Sequence, residues 1–344
     1  MSLIIPAKYK LKLLPETTEI AIQELKNFVQ QRLFDDLNLR RVTAPLFVAS
    51  GIGLNDDLNG VERPVSFEVG ALGGERVEIV QSLAKWKRVK LAEYDIAPGY
   101  GIYTDMNAVR PDEQLDNLHS LYVDQWDWER VITPEQRTVA FLKEIVEKIY
   151  CIIRDAELMI YKHFPHIVPT LPESIKFIRS QELLDMYPGL SPKEREREAA
   201  RRFGAVFIIG IGAPLSDGVP HDHRAPDYDD WSSADEDGNI GLNGDIIVWD
   251  PVLDCPLELS SMGIRTDAAA LRRQLEASGC NDRLDLWYHS RLLEGRLPLS
   301  IGGGIGQSRL SMFLLQKAHI GEVQASVWPA DQIEACAAAG IPLI

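Results

Sequence analysis

Residues able to act on a nucleotide are concentrated in two stretches of the chain. The first, residues 241–265, places two carboxylates, a hydroxyl and an arginine on predicted strands: Asp245, Glu258, Ser260 and Arg265. The second, residues 302–309, is rich in glycine and ends in Arg309. Carboxylates can hold Mg²⁺, and arginines and glycine backbones can bind phosphate, so the combination suits a nucleotide whose α-phosphate is attacked. The two stretches therefore predict acyl-adenylate chemistry.

Strand periodicity indicates which of these side chains share a face. Alternation places Glu258 and Ser260 on one face, and a bulge at Gly263 would bring Arg265 to that face as well. Asp245, on the partner strand of the predicted hairpin, could share Mg²⁺ with Glu258, because Mg²⁺ usually takes one or two carboxylates plus substrate phosphates. The spacing alone fits equally well a surface hairpin with an ordinary Glu–Arg pair.

The glycine-rich stretch predicts a tight turn that opens a helix. Gly304 and Gly306 would let the backbone approach a ligand closely, and Arg309, just inside the helix, could stack on a base or pair with phosphate. The stretch lacks the Gly-Lys-Ser/Thr ending of a P-loop and the third glycine of a dinucleotide fingerprint. A glycine-rich turn alone could equally be a plain helix start, but its position after the hairpin favours a nucleotide.

Two other groups could bind a substrate carboxylate and a phosphate. Lys85 or Lys87, which follow a predicted strand, could hold a carboxylate, although this stretch could equally be a basic helix face. Arg110 could grip an α-phosphate. Gln125 and Asp127 share one face of a predicted strand by alternation, so both could reach the same ligand.

Two short motifs are weaker candidates for functional sites. Asn55-Asp56-Asp57 lies in a loop bounded by glycines, where a carboxylate could capture a substrate ammonium group or help to deprotonate an incoming amine. An ordinary Asx turn is the simpler interpretation of that loop. His221 and His223 have a spacing that could serve a metal, but no third ligand is apparent, so they are predicted to be a loop pair rather than a zinc site.

The remaining sequence predicts the helices that position these residues. Apolar residues at helical spacing indicate a long helix over 16–39 that runs into an extended segment. Thr133-Pro-Glu-Gln136 has the residues of a capped helix start and predicts a helix to about His163. Ser191-Pro-Lys-Glu194 has the same capping pattern and predicts a second helix start. The charged residues 193–202 that follow are predicted to be a solvated helix face.

Short β-rich segments separated by turn residues predict a sheet around the middle of the chain. The predicted strands are 66–69, 76–80, 101–103, 120–128, 205–211 and 245–249. Trp126 and Trp128 are predicted to face the core, and residues 227–238 to form a mobile acidic loop. No internal repeat or linker is evident, which favours one α+β domain over residues 1–344.

Composition limits the classes of partner. The formal net charge of −15 argues against a general nucleic-acid binder, which needs a surplus of Lys and Arg. The four cysteines are far apart and contain no C-x-x-C pair, which supports neither a zinc site nor a disulfide framework and fits a reducing cytoplasm. The first six residues do not have the pattern of a signal peptide, and no apolar run reaches membrane-spanning length. We expect small-molecule substrates.

Taken in order, these segments resemble the three motifs of the class II aminoacyl-tRNA synthetase fold, and most closely the ammonia-dependent asparagine synthetase family. Residues 39–45 resemble motif one with its proline, 110–129 motif two and 302–309 motif three. Four further segments resemble that synthetase family in particular: 80–88, 122–130, 224–231 and 258–265. The resemblance covers nearly the whole chain.

The resemblance implies a central antiparallel sheet flanked by helices, a homodimer, and formation of asparagine, AMP and pyrophosphate from aspartate, ATP and ammonia. A β-aspartyl adenylate is the implied intermediate. By position, Arg110, Asp127, Asp56 and Arg309 are the implied catalytic residues. Aspartate would be held by Ser82, Lys87, Gln125, Asp229, Ser261 and Arg265. ATP would face Arg110, Glu258, Ser260, Gly304, Gly306 and Arg309, and Mg²⁺ would be held by Asp245 and Glu258.

Two positions depart from the general synthetase pattern. Motif two usually contains Arg-x-Glu, whereas Arg110 is followed by Pro111, Asp112 and Glu113, so the acid that meets ATP is left open. Motif three often ends in Asp-Arg, whereas Ser308 precedes Arg309 here.

Three rival functions can be weighed from the sequence. An aspartyl- or asparaginyl-tRNA synthetase would share the adenylation site but would need a tRNA-binding domain and a basic face, neither of which is evident. A non-catalytic regulator would be expected to have lost Arg110, Glu258 and Arg309. A glutamine-dependent synthetase would need a cysteine at residue 2, which is Ser2. The sequence therefore favours free ammonia as the nitrogen donor.

Overall fold

A mixed eight-stranded sheet is the centre of the computed structural model, which describes residues 3–56 and 62–344. Its strands lie in the order β1 (Leu39–Arg41), β5 (Gly101–Val109), β6 (Tyr122–Val131), β11 (Ser300–Gly306), β10 (Cys255–Ile264), β9 (Asn243–Asp250), β8 (Ala205–Ile209) and β7 (Lys176–Arg179). The inner six strands are antiparallel, and one parallel strand is added at each edge. The predicted antiparallel sheet is thus confirmed, with parallel edges that the sequence pattern did not indicate.

A small second sheet lies between the first and second helices. Its order is β2 (Phe47–Ala49), β4 (Glu75–Ile79) and β3 (Ser66–Val69), all antiparallel. The chain then turns into α2 (Ala84–Glu93), which packs on β6 of the large sheet. This order brings the lysines of α2 underneath the strand that carries Gln125 and Asp127.

Helices flank the large sheet. They are α1 (Pro15–Leu37), α3 (Val139–His163), α4 (Ser180–Met186), α5 (Pro192–Phe203), α6 (Ala268–Ala277), α7 (Trp287–Leu293), α8 (Gln307–Leu314) and α9 (Ala330–Ala338). The long helices α1 and α3 pack against each other, and the predicted apolar stripe of α3 is buried in the main core. Trp126 and Trp128 are fully buried in that core, as predicted from strand alternation.

The cap of α3 differs from the prediction. The capping box at Thr133 does form, but it closes a short 3₁₀ turn over Pro134–Gln136. The helix itself begins at Val139, where the Thr138 hydroxyl accepts a hydrogen bond from the Phe141 N–H at 3.1 Å. Ser191 caps α5 as predicted. A sequence with two threonines near a helix start cannot distinguish the turn from the helix, because both use the same capping chemistry.

The bulge in β10 lies four residues earlier than predicted. The register with β9 shifts between Glu258 and Ser260, and no shift occurs at Gly263. Because the bulge inserts Leu259, Glu258 is out of phase with Ser260 and in phase with Ser261 and Arg265. Glu258 and Arg265 therefore do share a face, but Ser260 does not belong to it.

The glycines at 302–306 form a strand rather than the predicted turn. Gly302, Gly303 and Gly304 pair with both β6 and β10, Gly306 pairs with β6, and α8 begins directly after it. Glycines in a central strand leave room above it for side chains of the neighbouring strands. The glycines therefore shape a cavity floor rather than a phosphate-binding loop.

Two regions predicted to be solvated are partly buried. In the predicted mobile loop, Asp227, Asp229 and Asp230 are buried and paired with cations. In the predicted solvated face of α5, Arg195 and Glu196 are buried. The predictions for these two segments are wrong in part, because a charge-rich segment can be buried when its counter-ions come from elsewhere in the chain, as for Asp227 and Lys85. No helix in the described ranges is long and apolar enough to cross a membrane.

Candidate active site

A cavity of about 400 Å³ lies over the sheet where β6, β11 and β10 meet. This is the size of a small-molecule pocket. It is lined by most of the residues predicted from the sequence: Ser82, Arg110, Gln125, Asp127, Asp229, Glu258, Ser260, Ser261, Arg265, Gly304, Gly306 and Arg309. Segments from residue 82 to residue 309 thus contribute to one cavity.

Three predicted site residues lie behind the cavity wall rather than on it. Lys87 and Asp245 are buried, and Asp56 is buried as well. Lys87 contacts Asp127, which does line the cavity. Asp57, in the same predicted motif as Asp56, falls outside the described residues. Lys87 and Asp56 can act on a ligand through their neighbours or through their charges.

Alternation along β6 forms one wall. Gln125, Asp127 and Glu129 point to the same face, and Glu129 is fully buried at the inner end. Both oxygens of Glu129 accept hydrogen bonds from the Arg265 guanidinium at 2.9–3.1 Å, and the Ser300 hydroxyl donates to it at 2.7 Å. Arg265 also forms an ion pair with Asp229. This is the bidentate geometry in which an arginine is held most rigidly.

The charges at this inner end shift one another's pKa values. Burial alone would raise the pKa of Glu129, but Arg265 and Lys87 outweigh it and lower that pKa. Burial raises the pKa of Asp229, because Arg265 and Arg224 offset only part of its desolvation. The two carboxylates therefore differ, although they share Arg265: Glu129 has the fuller set of partners.

Lys87 is the second cation of the ion network around Glu129. Its ammonium group pairs with Asp127, donates to the Trp128 carbonyl at 2.8 Å, and lies 3.8 Å from Glu129. Burial lowers the pKa of Lys87, and the two carboxylates offset this only in part. Lys85 points elsewhere, to Asp227 at 3.1 Å. Of the two candidate lysines, only Lys87 belongs to the cavity network.

The glycines of β11 are needed for close approach. A Cβ at Gly302 would overlap the carboxylate of Glu129, and one at Gly304 would overlap the amide oxygen of Gln125. A Cβ at Gly303 would overlap Met262 on the other face. Their φ angles are not in the left-handed region, so the requirement is for space rather than for a turn conformation.

Two arginines line the outer part of the cavity. Arg110 lies 3.4 Å from Glu62, and Arg309 donates to the Glu258 carbonyl at 3.3 Å. Glu113 lines the cavity, whereas Asp112 is exposed and paired with Arg63 at 3.0 Å. Of the two acids that the motif-two segment left open, Glu113 is therefore the one placed to meet a ligand.

Asp245 and Glu258 lie on one face of the β9–β10 pair, beside Arg224, with Asp245 opposite Ser261 and Glu258 opposite Ile247. Burial, reinforced by the charge of Asp245, raises the pKa of Glu258. Arg224 pairs with one oxygen of Asp245, and the other, Oδ1, is buried without a hydrogen-bond partner among the described residues. Two adjacent carboxylates and an unpartnered oxygen suit a hard divalent cation that takes its other ligands from phosphate and water. No group of three or more potential metal ligands occurs in the described part of the chain.

The two histidines of the 221–223 segment lie in different environments. His221 is buried and lies 3.1 Å from Glu196, while His223 is exposed at the cavity rim. Their separate environments agree with the prediction of a loop pair.

The sequence motifs missed several residues of the cavity wall. Gln81, Arg224, Tyr228 and Gln324 line it, and Glu129 completes its ion network. Glu129 continues the Gln125–Asp127 alternation, so strand periodicity could have identified it. The others lie on loops, where no periodicity indicates direction.

Known proteins resemble this chain along its length. The sequence profile of the aspartate–ammonia ligase family matches residues 16–340. An aspartate–ammonia ligase of Bacteroides thetaiotaomicron is 58% identical over 342 residues, covering 99% of both chains. Another, from Clostridium perfringens, is 54% identical with the same coverage.

Solved structures show the fold. The asparaginyl-tRNA synthetase of Entamoeba histolytica in complex with asparaginyl-adenylate matches with a TM-score of 0.65 at 14% identity, over 90% of this chain and 66% of that one. That of Pyrococcus horikoshii, also complexed with asparaginyl-adenylate, matches with 0.66 at 14% identity, over 92% and 70%. This chain spans about two thirds of the length of these synthetases. The predicted class II aminoacyl-tRNA synthetase fold is thereby confirmed.

Proposed function

The chain belongs to the aspartate–ammonia ligase family, and from this premise we propose that it makes asparagine from L-aspartate, ATP and ammonia through a β-aspartyl adenylate. AMP and pyrophosphate are the other products. The observation that carries the proposal is one cavity with a buried ion network at its inner end and two arginines at its outer part. Such a cavity can hold an amino acid beside a nucleotide.

The inner end suits the α-ammonium and α-carboxylate of aspartate. Three carboxylates, on Asp127, Glu129 and Asp229, surround the two cations of Lys87 and Arg265, so one net negative charge remains. In a buried site that charge attracts an ammonium group. The remaining donors, Gln125, Ser82 and Ser261, complete the proposed aspartate site with neutral hydrogen bonds.

The outer end suits the nucleotide. The β-carboxylate oxygen of aspartate attacks the α-phosphorus, and the bond from that phosphorus to the pyrophosphate oxygen breaks. Arg110 and Arg309 bind the α-phosphate and stabilise the charge that develops on it. Gly304 and Gly306 allow the nucleotide to lie close to the strand, and Glu258 borders it. Ser260 borders it at the bulge, where its hydroxyl donates to the Gly304 carbonyl at 2.8 Å. Binding the two reactants in one cavity supplies the orientation that this step needs.

Asp245 and Glu258 would hold Mg²⁺ together with the phosphates of ATP. When bound, the ion neutralises phosphate charge and makes pyrophosphate a better leaving group. The other residues act on the substrates directly.

Ammonia then attacks the β-carbonyl carbon of the adenylate. The new C–N bond forms, and the C–O bond to AMP breaks. The nitrogen transfers one proton to a carboxylate beside the acyl group. We assign that role to Asp127 on the cavity wall, with Asp56 behind it.

Pyrophosphate exchange into ATP tests the first step. Aspartate should support exchange without ammonia, and Arg309→Ala should abolish it because the charge on the α-phosphate loses its partner. Near-normal exchange in Arg309→Ala would contradict the assigned role. A charged tRNA product at low salt would favour a tRNA synthetase instead.

Nitrogen-donor competition tests the second step. Ammonium and glutamine are compared at equal concentration, with asparagine measured directly. Ammonium should support synthesis and glutamine should not. Equal use of glutamine would contradict the proposal.

We also propose a homodimer formed through the segment 39–45. β1 is an edge strand of the large sheet, and Arg40 and Arg41 on it are exposed. Light scattering of the purified chain should give twice the chain mass of 38.6 kDa. A monomeric mass would refute this part.

A further inference from the structure

Gln81 has a buried side chain with no internal partner, although it lies on the wall of the cavity. Its side chain is almost fully buried, and neither its amide oxygen nor its amide nitrogen has a hydrogen-bond partner among the described residues. Buried amides in folded proteins nearly always find partners, so a buried amide that lacks one and lies on a cavity wall is open to a bound molecule. The nucleotide and aspartate roles proposed above make no use of this residue.

The backbone around Gln81 is fixed, so the position of the amide is set by the fold. The Gln81 N–H donates to the Asn55 side-chain oxygen at 2.9 Å, and the Asn55 amide donates in turn to Glu78 at 3.0 Å. Two residues later, the Leu83 N–H donates to Asp127 at 3.1 Å. Gln81 therefore lies between the loop that carries Asp56 and the carboxylate of Asp127.

This location is the reacting end of the proposed site. Asp127 lies on β6 between Gln125 and Glu129, opposite Gly304. The two arginines that bind phosphate in our proposal, Arg110 and Arg309, do not contact the 81–83 segment by any hydrogen bond or ion pair among the described residues. Gln81 is thus placed at the acyl group rather than at the phosphates.

We propose that Gln81 binds the nitrogen nucleophile. Its amide oxygen accepts a hydrogen bond from ammonia, and its amide nitrogen donates to the carbonyl oxygen that ammonia attacks. A carboxamide suits both tasks, because it offers one acceptor and two donors next to each other. The nitrogen lone pair stays free for attack, since ammonia acts toward Gln81 only as a donor. This inference rests on the proposed function.

The alternative occupant of this position is aspartate itself, through its α-carboxylate or α-ammonium. The inner ion network already provides charged partners for both groups, on Asp229 and Arg265 among others. A neutral amide adds little to a site of that kind, whereas ammonia, as a small neutral molecule, has few other ways to be recognised. The chemistry of the residue therefore favours ammonia.

Two variants of Gln81 separate binding from orientation. Gln81→Met keeps the length of the side chain and removes both polar atoms. Its KM for ammonium should rise at least tenfold and its kcat for asparagine formation should fall. Gln81→Glu keeps the acceptor but loses the donor. It should keep a KM for ammonium within about threefold of the wild type, and its kcat should fall at least tenfold.

The partial reaction keeps the test independent of the first step. Aspartate-dependent pyrophosphate exchange, measured without ammonia, should stay within about threefold of the wild type in both variants. Gln125→Met is the matched control, because it makes the same change in the same cavity at a residue assigned to aspartate. It should raise the KM for aspartate in the exchange reaction.

These measurements distinguish a role of Gln81 in ammonia binding from a role in aspartate binding. A rise in the KM for aspartate in Gln81→Met exchange equal to that in Gln125→Met would assign the amide to aspartate and overturn the inference. Unchanged ammonium kinetics in both Gln81 variants would also overturn it. Thermal unfolding of Gln81→Met should show no loss of stability, because an apolar side chain replaces an unpartnered amide. Absence of exchange in the wild type would refute the proposed function rather than the role of Gln81.

Discussion

Lys85 and Lys87 lie two residues apart on α2, and both are fully buried, yet their surroundings shift their pKa values in opposite directions. Burial alone would lower the pKa of Lys85, but the charges of Asp227 and Asp56 outweigh it and raise that pKa. For Lys87 burial prevails, and the pKa is lowered although Asp127 and Glu129 are close. Residues two apart on a helix face different sides, so the two lysines belong to different clusters.

The cluster of Lys85 is rich in cationic partners. Asp227, at its centre, accepts hydrogen bonds from Lys85 at 3.1 Å, Arg283 at 3.2 Å and the His289 ring at 3.0 Å. These partners lower the pKa of Asp227, although burial would raise it. The cluster ties α2 to the loop after residue 224 and to α7.

The cluster of Lys87 has one positive charge fewer than it has negative charges. Its carboxylates outnumber its cations, and Arg265 further disfavours the Lys87 charge. In a ligand-free cavity this imbalance raises the free energy of the charged groups, and a ligand with an ammonium group relieves it. The fold thus neutralises the buried charges that join elements to one another and leaves unbalanced those that face the cavity.

Removal of Arg265, the cation shared by Glu129 and Asp229, should have the largest effect on the cavity cluster. Arg265→Met would leave Glu129 and Asp229 buried without their partner. We expect a loss of about 3–5 kcal/mol in the free energy of unfolding, by urea denaturation, and loss of aspartate-dependent exchange. Arg265→Lys is the control: it keeps the charge, should recover part of the stability, and should still lack the bidentate contact to Glu129. Normal exchange in either variant would contradict the assignment.

Replacing each lysine by methionine tests the difference directly. Lys85→Met should cost about 3 kcal/mol of unfolding free energy, because Asp227 stays fully buried with fewer cations. Its exchange activity per folded molecule should stay within about threefold. Lys87→Met should cost roughly 1 kcal/mol, since Asp127 borders the cavity and can be hydrated there, but should lower kcat/KM for aspartate about 100-fold. Equal stability losses with equal activities would show that the two clusters have the same role.

Asp250 provides a third case, a buried carboxylate held by backbone N–H groups of Val252 at 2.7 Å and Leu253 at 3.4 Å. Burial raises the pKa of Asp250 to about 6. The folded chain then binds this proton more tightly than the unfolded chain, so the free energy of unfolding should fall as pH rises from about 4 to about 6, by up to about 3 kcal/mol. Urea denaturation across this range should show the slope.

Asp250→Asn should flatten that part of the pH dependence. Asp254→Asn, a change to a mostly exposed carboxylate in the same turn, is the control and should leave the slope as in the wild type. An unchanged slope in Asp250→Asn would mean that another group is responsible.

Gly304→Ala is the mildest test of the cavity. The added Cβ would overlap the Gln125 amide, which is the movable end of a side chain, so the amide should shift rather than the strand. We expect the KM for aspartate to rise about tenfold, equivalent to about 1.4 kcal/mol. In a Gln125→Ala background the same change should have little further effect. An undiminished effect there would place the clash elsewhere.

Local patterns predicted much of the fold and the site. Alternation placed Gln125 with Asp127 and turned Trp126 and Trp128 into the core, and the motif order indicated the class II architecture. Local patterns were less reliable where the same residues suit two different local structures. Thr133 and Thr138 both cap, and a glycine run suits a turn as well as a crowded strand.

The sequence alone was enough to predict the family, the antiparallel strands and the residue types of the site, because strand periodicity and motif spacing are visible over a few residues. Which of the buried charges are fully paired and which face the cavity depends on the tertiary structure. Lys85 meets Asp227 across 142 residues of sequence, whereas Lys87 meets Asp127 across 40. The physical reason is that a buried charge is governed by the groups around it in space, and α2 presents neighbouring lysines to two different environments.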